Sequence, residues 1–471
     1  MKLVLALLLG AFTAHAADDS PLAHLSFQPS MQTGGRDANG KLLAGTEVMH
    51  LVAHQGRLYA STSLWMEKDP AVPKACQVLV LDSPKGQWRV EHQFTENNLR
   101  YGTLREVTFS TDARGKAIAP VSLLLAAPDV KRGPFKIYCR EDATGEWSAS
   151  VLGTDTEAAN VRAIGLHRDR VTGIDRIFAG HNKLGVVGGV YDPAAPGRIR
   201  WEKSGEVQTP AGDRVMGFCE CKGILYCATS HHLYQRTDGT APAWKQIYIS
   251  EQTGTGVIRG LTAVPKPGGT GEVLWFVTSG KVRRLDPAAD FKETTELDEL
   301  AFLTEKLGVK VNSVLAAYNE LMPYVVPGTG EALWLFGFQC AVPAAALDSD
   351  PSSKARMQVR EPGQVRGAMG KARAGKARPD NGRPAIVKAG NARYCIRHAK
   401  GADITYEVAE ITDPRQPTLV ATRVIAVSPF PEDKGRVLYF AGYDCNGVPS
   451  HNTGWIYRGE LPRATQPKKT P

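Results

Sequence analysis

The hexapeptide Asp213-Arg-Val-Met-Gly-Phe218, "DRVMGF", places a charged pair ahead of a short apolar run, and related stretches return along the chain. They are "LREVTF" from Leu104, "VRAIGL" from Val161, "IRGLTA" from Ile258 and "TRVIAV" from Thr422. Each precedes a turn and a second run ending in small or polar residues, such as "LYASTS" (Leu58), "RIFAGH" (Arg176), "LYCATS" (Leu225), "LWFVTS" (Leu274) and "LYFAGY" (Leu438). A third run follows, as in "QVLVLD", "FKIYCR", "HLYQR" and "GWIYRG". Next comes a turn rich in Asp, Gly and Pro, often with Trp88, Trp147, Trp201 or Trp244 opening a fourth run.

Counting the units from Glu47, Arg105, Arg162, Arg214, Arg259, Asn312 and Arg423 gives intervals of 58, 57, 52, 45, 53 and 111 residues. Seven four-stranded units at roughly 50-residue spacing predict an all-β fold, a seven-bladed β-propeller. The seventh unit ends on its third strand, "TGWIYRGEL". A strand near Leu22, "LAHLSF", supplies its fourth and closes the ring through both chain ends, leaving no open edge. Helix is expected only in "TTELDELAFLTEKLG" near Thr294, between units five and six.

The ends of the chain read as processing and tail. Lys2, the apolar run Leu3 to Phe12 and Ala14-His15-Ala16 form a signal-peptide pattern over residues 1–16, so the mature protein is expected to be exported, to a periplasmic or extracellular space. No later run reaches the ~18 apolar residues of a transmembrane helix. Residues 17–462 form the propeller and 463–471 a polar tail.

The formal net charge is +9, and its location is informative. Between Lys354 and Arg393 there are 11 Lys or Arg against Glu361 and Asp380, so the remaining 46 basic and 46 acidic residues cancel. The long last interval therefore holds a basic, Gly/Ala-rich insertion, residues 345–389, whose composition cannot bury an apolar face. It reads either as a solvated loop or as an electrostatic tether to an anionic polymer. A neutral body gives no basis for expecting a nucleic-acid partner.

Eight cysteines in an exported chain permit disulfides. Cys340 closes strand two of unit six and Cys395 lies in strand three, so a Cys340–Cys395 bond is the first expected pairing, clamping the insertion. Cys219, Cys221, Cys227, His231 and His232 do not have the spacing of a zinc frame, and no metal is expected. No phosphate-binding loop, nucleophile elbow or metalloprotease motif is present, so no cofactor is expected.

In a propeller the first strand of each blade lines the central channel, and the second returns to the end where the first began. The arginines and the residues after strand two therefore converge on one mouth. Arg105, Arg162, Arg214, Arg259 and Arg423 are the expected ligand-binding ring, joined by Asn182, His231, Gln339 and Asp444. Guanidinium is always charged and matches carboxylate, sulfate or phosphate with a planar fork of donors. Five together need balance, either from Glu47, Glu106, Asp213 and Asp444 within the fold or from an anionic ligand. His181 and Tyr443 are the expected proton-transfer groups.

In architecture and residue type this set resembles the seven-bladed polysaccharide lyases. That resemblance implies β-elimination: an arginine neutralises a uronate carboxylate while His or Tyr removes the α-proton and Tyr protonates the leaving oxygen. The turns Asp82 to Trp88 and Asp142 to Trp147 resemble the Asp-box turns of sialidase-like propellers, but they lack the preceding Ser/Thr and differ in spacing. Hydrolysis by paired carboxylates is less well provided for. Two functions follow: recognition of an anionic carbohydrate, with or without cleavage, or a noncatalytic scaffold binding another envelope protein.

Overall fold

The computed structural model describes residues 20–64, 75–95, 97–98, 100–153, 159–210, 212–250, 257–343, 386–388, 392–413, 420–444 and 453–462. The expected signal peptide and polar tail lie outside these residues, as does the basic insertion apart from residues 386–388.

Each repeat unit is an antiparallel sheet, and seven sheets form the ring. Blade one consists of Glu47–His54, Arg57–Ser63, Gln77–Leu81 and Arg89–Gln93, paired in that order. The inner strands of the remaining blades are Tyr101–Thr111, Val161–Arg168, Val215–Cys221, Arg259–Pro265, Ser313–Ala316 and Ala421–Val427. Second strands such as Glu272–Thr278 and Val437–Tyr443 are buried almost throughout. A strand covered on both faces by neighbouring blades must be apolar on both, which explains runs such as "VLWFV" that do not alternate. The hydrophobic clusters lie between blades, where Tyr59, Tyr226, Trp275 and Tyr439 are fully buried.

Blade seven closes the ring. Ser26–Gln32 pairs with Gly454–Glu460, so the N-terminal segment supplies the outermost strand of the last blade. It lies a few residues beyond the expected "LAHLSF", because Pro21–His24 is a 3₁₀ turn capped by Ser20. The expected helix also begins later: Lys292–Asp298 completes blade five, and the helix proper is Glu299–Leu307, with Asp298 as N-cap and Gly308 in the left-handed conformation at its end.

The tryptophans opening the fourth strands join blades. Trp88 donates to Ser30 Oγ and Trp201 to Ser150 Oγ, both at 2.9 Å, in each case reaching the preceding blade.

Blade six departs from the repeat. Its inner strand stops at Ala316, crosses into the channel and resumes as Met322–Val325 against the same partner strand. Within the insertion, Ile386–Lys388 pairs with Ala341–Pro343. The expected disulfide is corrected: Cys340 and Cys395 are both free thiols. Cys395 faces Phe336 across the ladder, four residues from Cys340. At about 3.3 Å per residue that stagger exceeds disulfide reach.

Candidate functional site

Six inner strands share a local irregularity. In every blade except the sixth the pairing slips within the first few residues, as at Val161/Ile164, Val215/Gly217, Arg259/Thr262 and Thr422/Val424. A bulge re-aims the side chains beside it. In blades three, four, five and seven the bulge lies beside Arg162, Arg214, Arg259 and Arg423.

What they meet is Tyr318, from the segment of blade six that crosses the channel. The guanidinium carbons of Arg423, Arg259 and Arg162 lie 4.0, 4.7 and 5.0 Å from its ring centroid. Arg162 donates to the Tyr318 hydroxyl, and Arg100 donates to it at 3.3 Å. Arg423 is sandwiched, since Tyr443 lies 4.6 Å on its other side, and Tyr443 in turn donates to Gln339. Cation–π contact is strongest when, as here, both partners are withdrawn from water.

The crossing segment is tied on several sides. Asn319 donates to the Met49 carbonyl at 2.7 Å, and Glu320 bridges to Gly260. Ala317 and Gly260 both have positive φ, and a Cβ on Gly260 would come within 2.6 Å of Ala317. Blade five therefore needs glycine immediately after Arg259 for the segment to dock.

Charge is unevenly matched around Tyr318. Arg423 Nε donates to Glu47 at 2.8 Å, and Glu47 is fully buried. Among the described residues neither Arg162 nor Arg259 has a carboxylate within ion-pair distance. Asp129 is nearby; burial raises its pKa to about 6 against the pull of Arg162, Arg100 and Arg214, so it stays largely ionised at neutral pH, but it lies outside ion-pair distance of Arg162 and Arg259. Burial, followed by repulsion from Arg162, Arg423 and Arg100, pulls Arg259 down to about 9. Burial alone would raise the Tyr318 phenol, yet Arg162, Arg100 and Arg423 outweigh it and bring it to about 7.

The structure brings together Arg162, Arg259, Arg423, Tyr443 and Gln339 from the expected set, with Arg214 at the margin beside Arg162 and Asp129. Arg105 is corrected. It lies further along its strand, 41% exposed, 3.5 Å from Glu320, while Arg100, immediately before the strand, takes the ring position. His181 is buried against Phe135, its Nδ1 accepting from the amides of Lys183 and Leu184. Asn182 accepts from the Asn160 amide. Asp444 is buried on Thr453, with its carboxyl raised to about 7 by burial. His231 sits half-buried in a turn of blade four, its carbonyl accepting from Ser250. The first three serve their own loops, while the Nδ1 of His231 is buried without a hydrogen-bond partner among the described residues. Asp213 likewise holds Thr229 and His232 rather than the arginines.

Tyr318, Arg100 and Asp129 were missed by sequence reasoning. The legible signal for Tyr318 was negative: unit six begins with Asn312 where the others carry arginine, and "AAYNE" interrupts its apolar run.

No protein-family model matches the sequence, and no curated protein matches it. Solved structures do. NanB sialidase from Streptococcus pneumoniae is 11% identical, with a TM-score of 0.37, over 92% of this chain and 70% of that one. A quinohemoprotein alcohol dehydrogenase from Pseudomonas putida HK5 is 11% identical, with a TM-score of 0.40, over 96% and 79%. The extracellular domain of a putative one-component system from B. thetaiotaomicron is 11% identical, with a TM-score of 0.39; the chain spans 89% of its own length but only 52% of that one.

Proposed function

We propose that this protein recognises an anionic carbohydrate, in the exported compartment its N-terminus implies, and that the arginine cluster around Tyr318 is the anchoring site. The observation that carries this reading is the charge mismatch: three guanidiniums stack on one ring, and one fully buried carboxylate pairs directly with one of them. Burying an uncompensated charge costs several kcal/mol. A bound carboxylate or sulfate would supply the missing counter-charge through bidentate hydrogen bonds. Calorimetric titration with anionic oligosaccharides and their neutral counterparts, at fixed ionic strength, tests it. The anionic series alone should bind, and Arg162→Met with Arg259→Met should abolish binding; equal affinity for neutral sugars would remove the proposal.

A second reading, β-elimination, is favoured by one observation. A phenol brought to about 7 beside guanidiniums is suited to act as a base near neutral pH. In that reading Tyr318, rather than His181 or Tyr443, takes the proton α to an arginine-bound uronate carboxylate. The bond to the leaving oxygen breaks as the double bond forms, and the phenolic proton passes to that oxygen. Ultraviolet absorbance of uronate polysaccharides incubated with the protein reads this directly: a rise lost in Tyr318→Phe supports cleavage, and a flat trace leaves binding alone.

A further inference from the structure

On one side of the Tyr318 crossing the channel widens into a cavity of about 480 Å³, within the range usual for small-molecule sites. Arg162, Arg423 and Tyr318 form its polar end. Its wall combines apolar side chains such as Leu51, Ile164, Phe218, Leu261 and Ile425 with polar ones, among them Thr262, Glu106 and Glu320. The other end lies toward the hairpin turns that join inner to second strands, where Ala53 and Pro323 are exposed. This is the opposite end of the channel from the mouth where the inner strands begin.

One polar group in the wall lacks a partner. His50 lines the cavity and is 8% exposed, and its Nε2 makes no hydrogen bond. The other ring nitrogen donates to the Gly102 backbone, while burial, reinforced by Arg162, holds the imidazole down to about 3. The ring is therefore neutral, its single N–H is used, and Nε2 presents a lone pair. A buried acceptor without a partner calls for a donor such as a hydroxyl. Cationic groups at one end, an acceptor on the side and apolar surface between them together describe a ligand with a carboxylate, a hydroxyl and a C–H face.

We infer that this chamber holds a small hydroxy-carboxylate of sugar-acid type, its carboxylate against Arg162, a hydroxyl donating to His50 Nε2, and its path in from the hairpin-turn end of the channel. The inference rests on the arginine cluster being an anion site and adds the ligand's size, its second contact and its route. The volume accommodates roughly one or two sugar rings, so a long polymer would contribute only its end.

The test is calorimetric titration of the full chain with galacturonate, its dimer, a long oligogalacturonate and neutral methyl galactoside. The chamber predicts binding of the monomer, affinity per chain end that stops rising at the dimer, and no binding of the neutral sugar. Ala53→Trp, which narrows the hairpin-turn end, and His50→Phe, which removes the acceptor, should each weaken monomer binding at least tenfold while leaving the circular dichroism unchanged. If Ala53→Trp does not fold, Pro323→Trp tests the same opening. Unaltered monomer affinity in the narrowed variant, or affinity climbing steadily with chain length, overturns the chamber but not the arginine site, so long as Arg162→Met still abolishes binding. No binding of any uronate by the unaltered protein overturns both.

Discussion

Two sets of arginines in this propeller differ in how the fold neutralises them. Between blades, Arg236 is fully buried and donates to Asp169 at 3.0 Å, to Asp238 at 2.7 Å and to Glu206 at 2.9 Å, while stacking over Phe178. Arg140 repeats this on blade two, reaching Glu91 and Asp142 over Tyr59. Arg397 does so on blade six, reaching Glu296 over Trp334. Each lies in the third strand of an even-numbered blade and reaches a glutamate in, or just after, the fourth strand of the blade before. His54 and His167 strengthen two of the same joints, each set between a glutamate and an aspartate. Around the channel the arginines also stack on aromatic rings, yet Arg162 and Arg259 have no carboxylate in ion-pair range among the described residues. Stacking is common to both sets. Compensation of charge, not stacking, distinguishes the two sets.

The sharpest way to break this comparison is to remove one arginine of each kind. Arg236→Ala would strand three acidic groups in a buried joint, and should cost about 3–5 kcal/mol in urea unfolding. Arg162→Met should leave stability within about 1 kcal/mol of the parent or raise it, because it relieves repulsion with Arg259, while lowering anion affinity at least tenfold, about 1.4 kcal/mol. Similar losses of stability in both variants would show that the ring arginines are structural too.

Tyr318→Phe sharpens the account through pH. Ionisation of Tyr318 near 7 adds negative charge to the cluster, so anion affinity should fall as pH rises through 7 and should lose that dependence in the variant. The stability effect has the opposite direction. A phenol at about 7 when folded and near 10 when unfolded means that the unfolded chain binds more protons between those values. The parent should therefore gain stability from pH 7 to 10 relative to Tyr318→Phe, measurable as a widening difference in melting temperature. The smallest effect belongs to Arg105→Ala. Its pair with Glu320 is solvent-exposed on both sides, and its loss should cost less than about 1 kcal/mol.

Much of the architecture was legible because a propeller writes itself as a period. The fully apolar second strands, the Asp/Gly turns and the interblade tryptophans recur with the blades, and an incomplete seventh unit required the N-terminal strand. The site was legible only in part. Repetition exposed Arg162, Arg259 and Arg423, but aligning "LREVTF" with the others selected Arg105 when the bulged strand places Arg100 at the ring. His181 closes its second strand as Tyr443 does, and Asp444 follows one, yet local amides and hydroxyls satisfy both, and short-range pattern cannot foresee that. Tyr318 is the largest omission. It stands where the repeat fails, and a residue that breaks a period has no equivalents in the other blades to reveal it.

The most direct test of the central claim is a melting curve of the protein with and without saturating galacturonate, alongside Arg162→Met/Arg259→Met. A ligand that binds only the folded state stabilises it by about 2.7 kcal/mol at one hundred times its dissociation constant. The account predicts a clear rise in melting temperature for the parent, none for the double variant, and none with neutral galactose. An equal rise in parent and variant, or none in either, would contradict it.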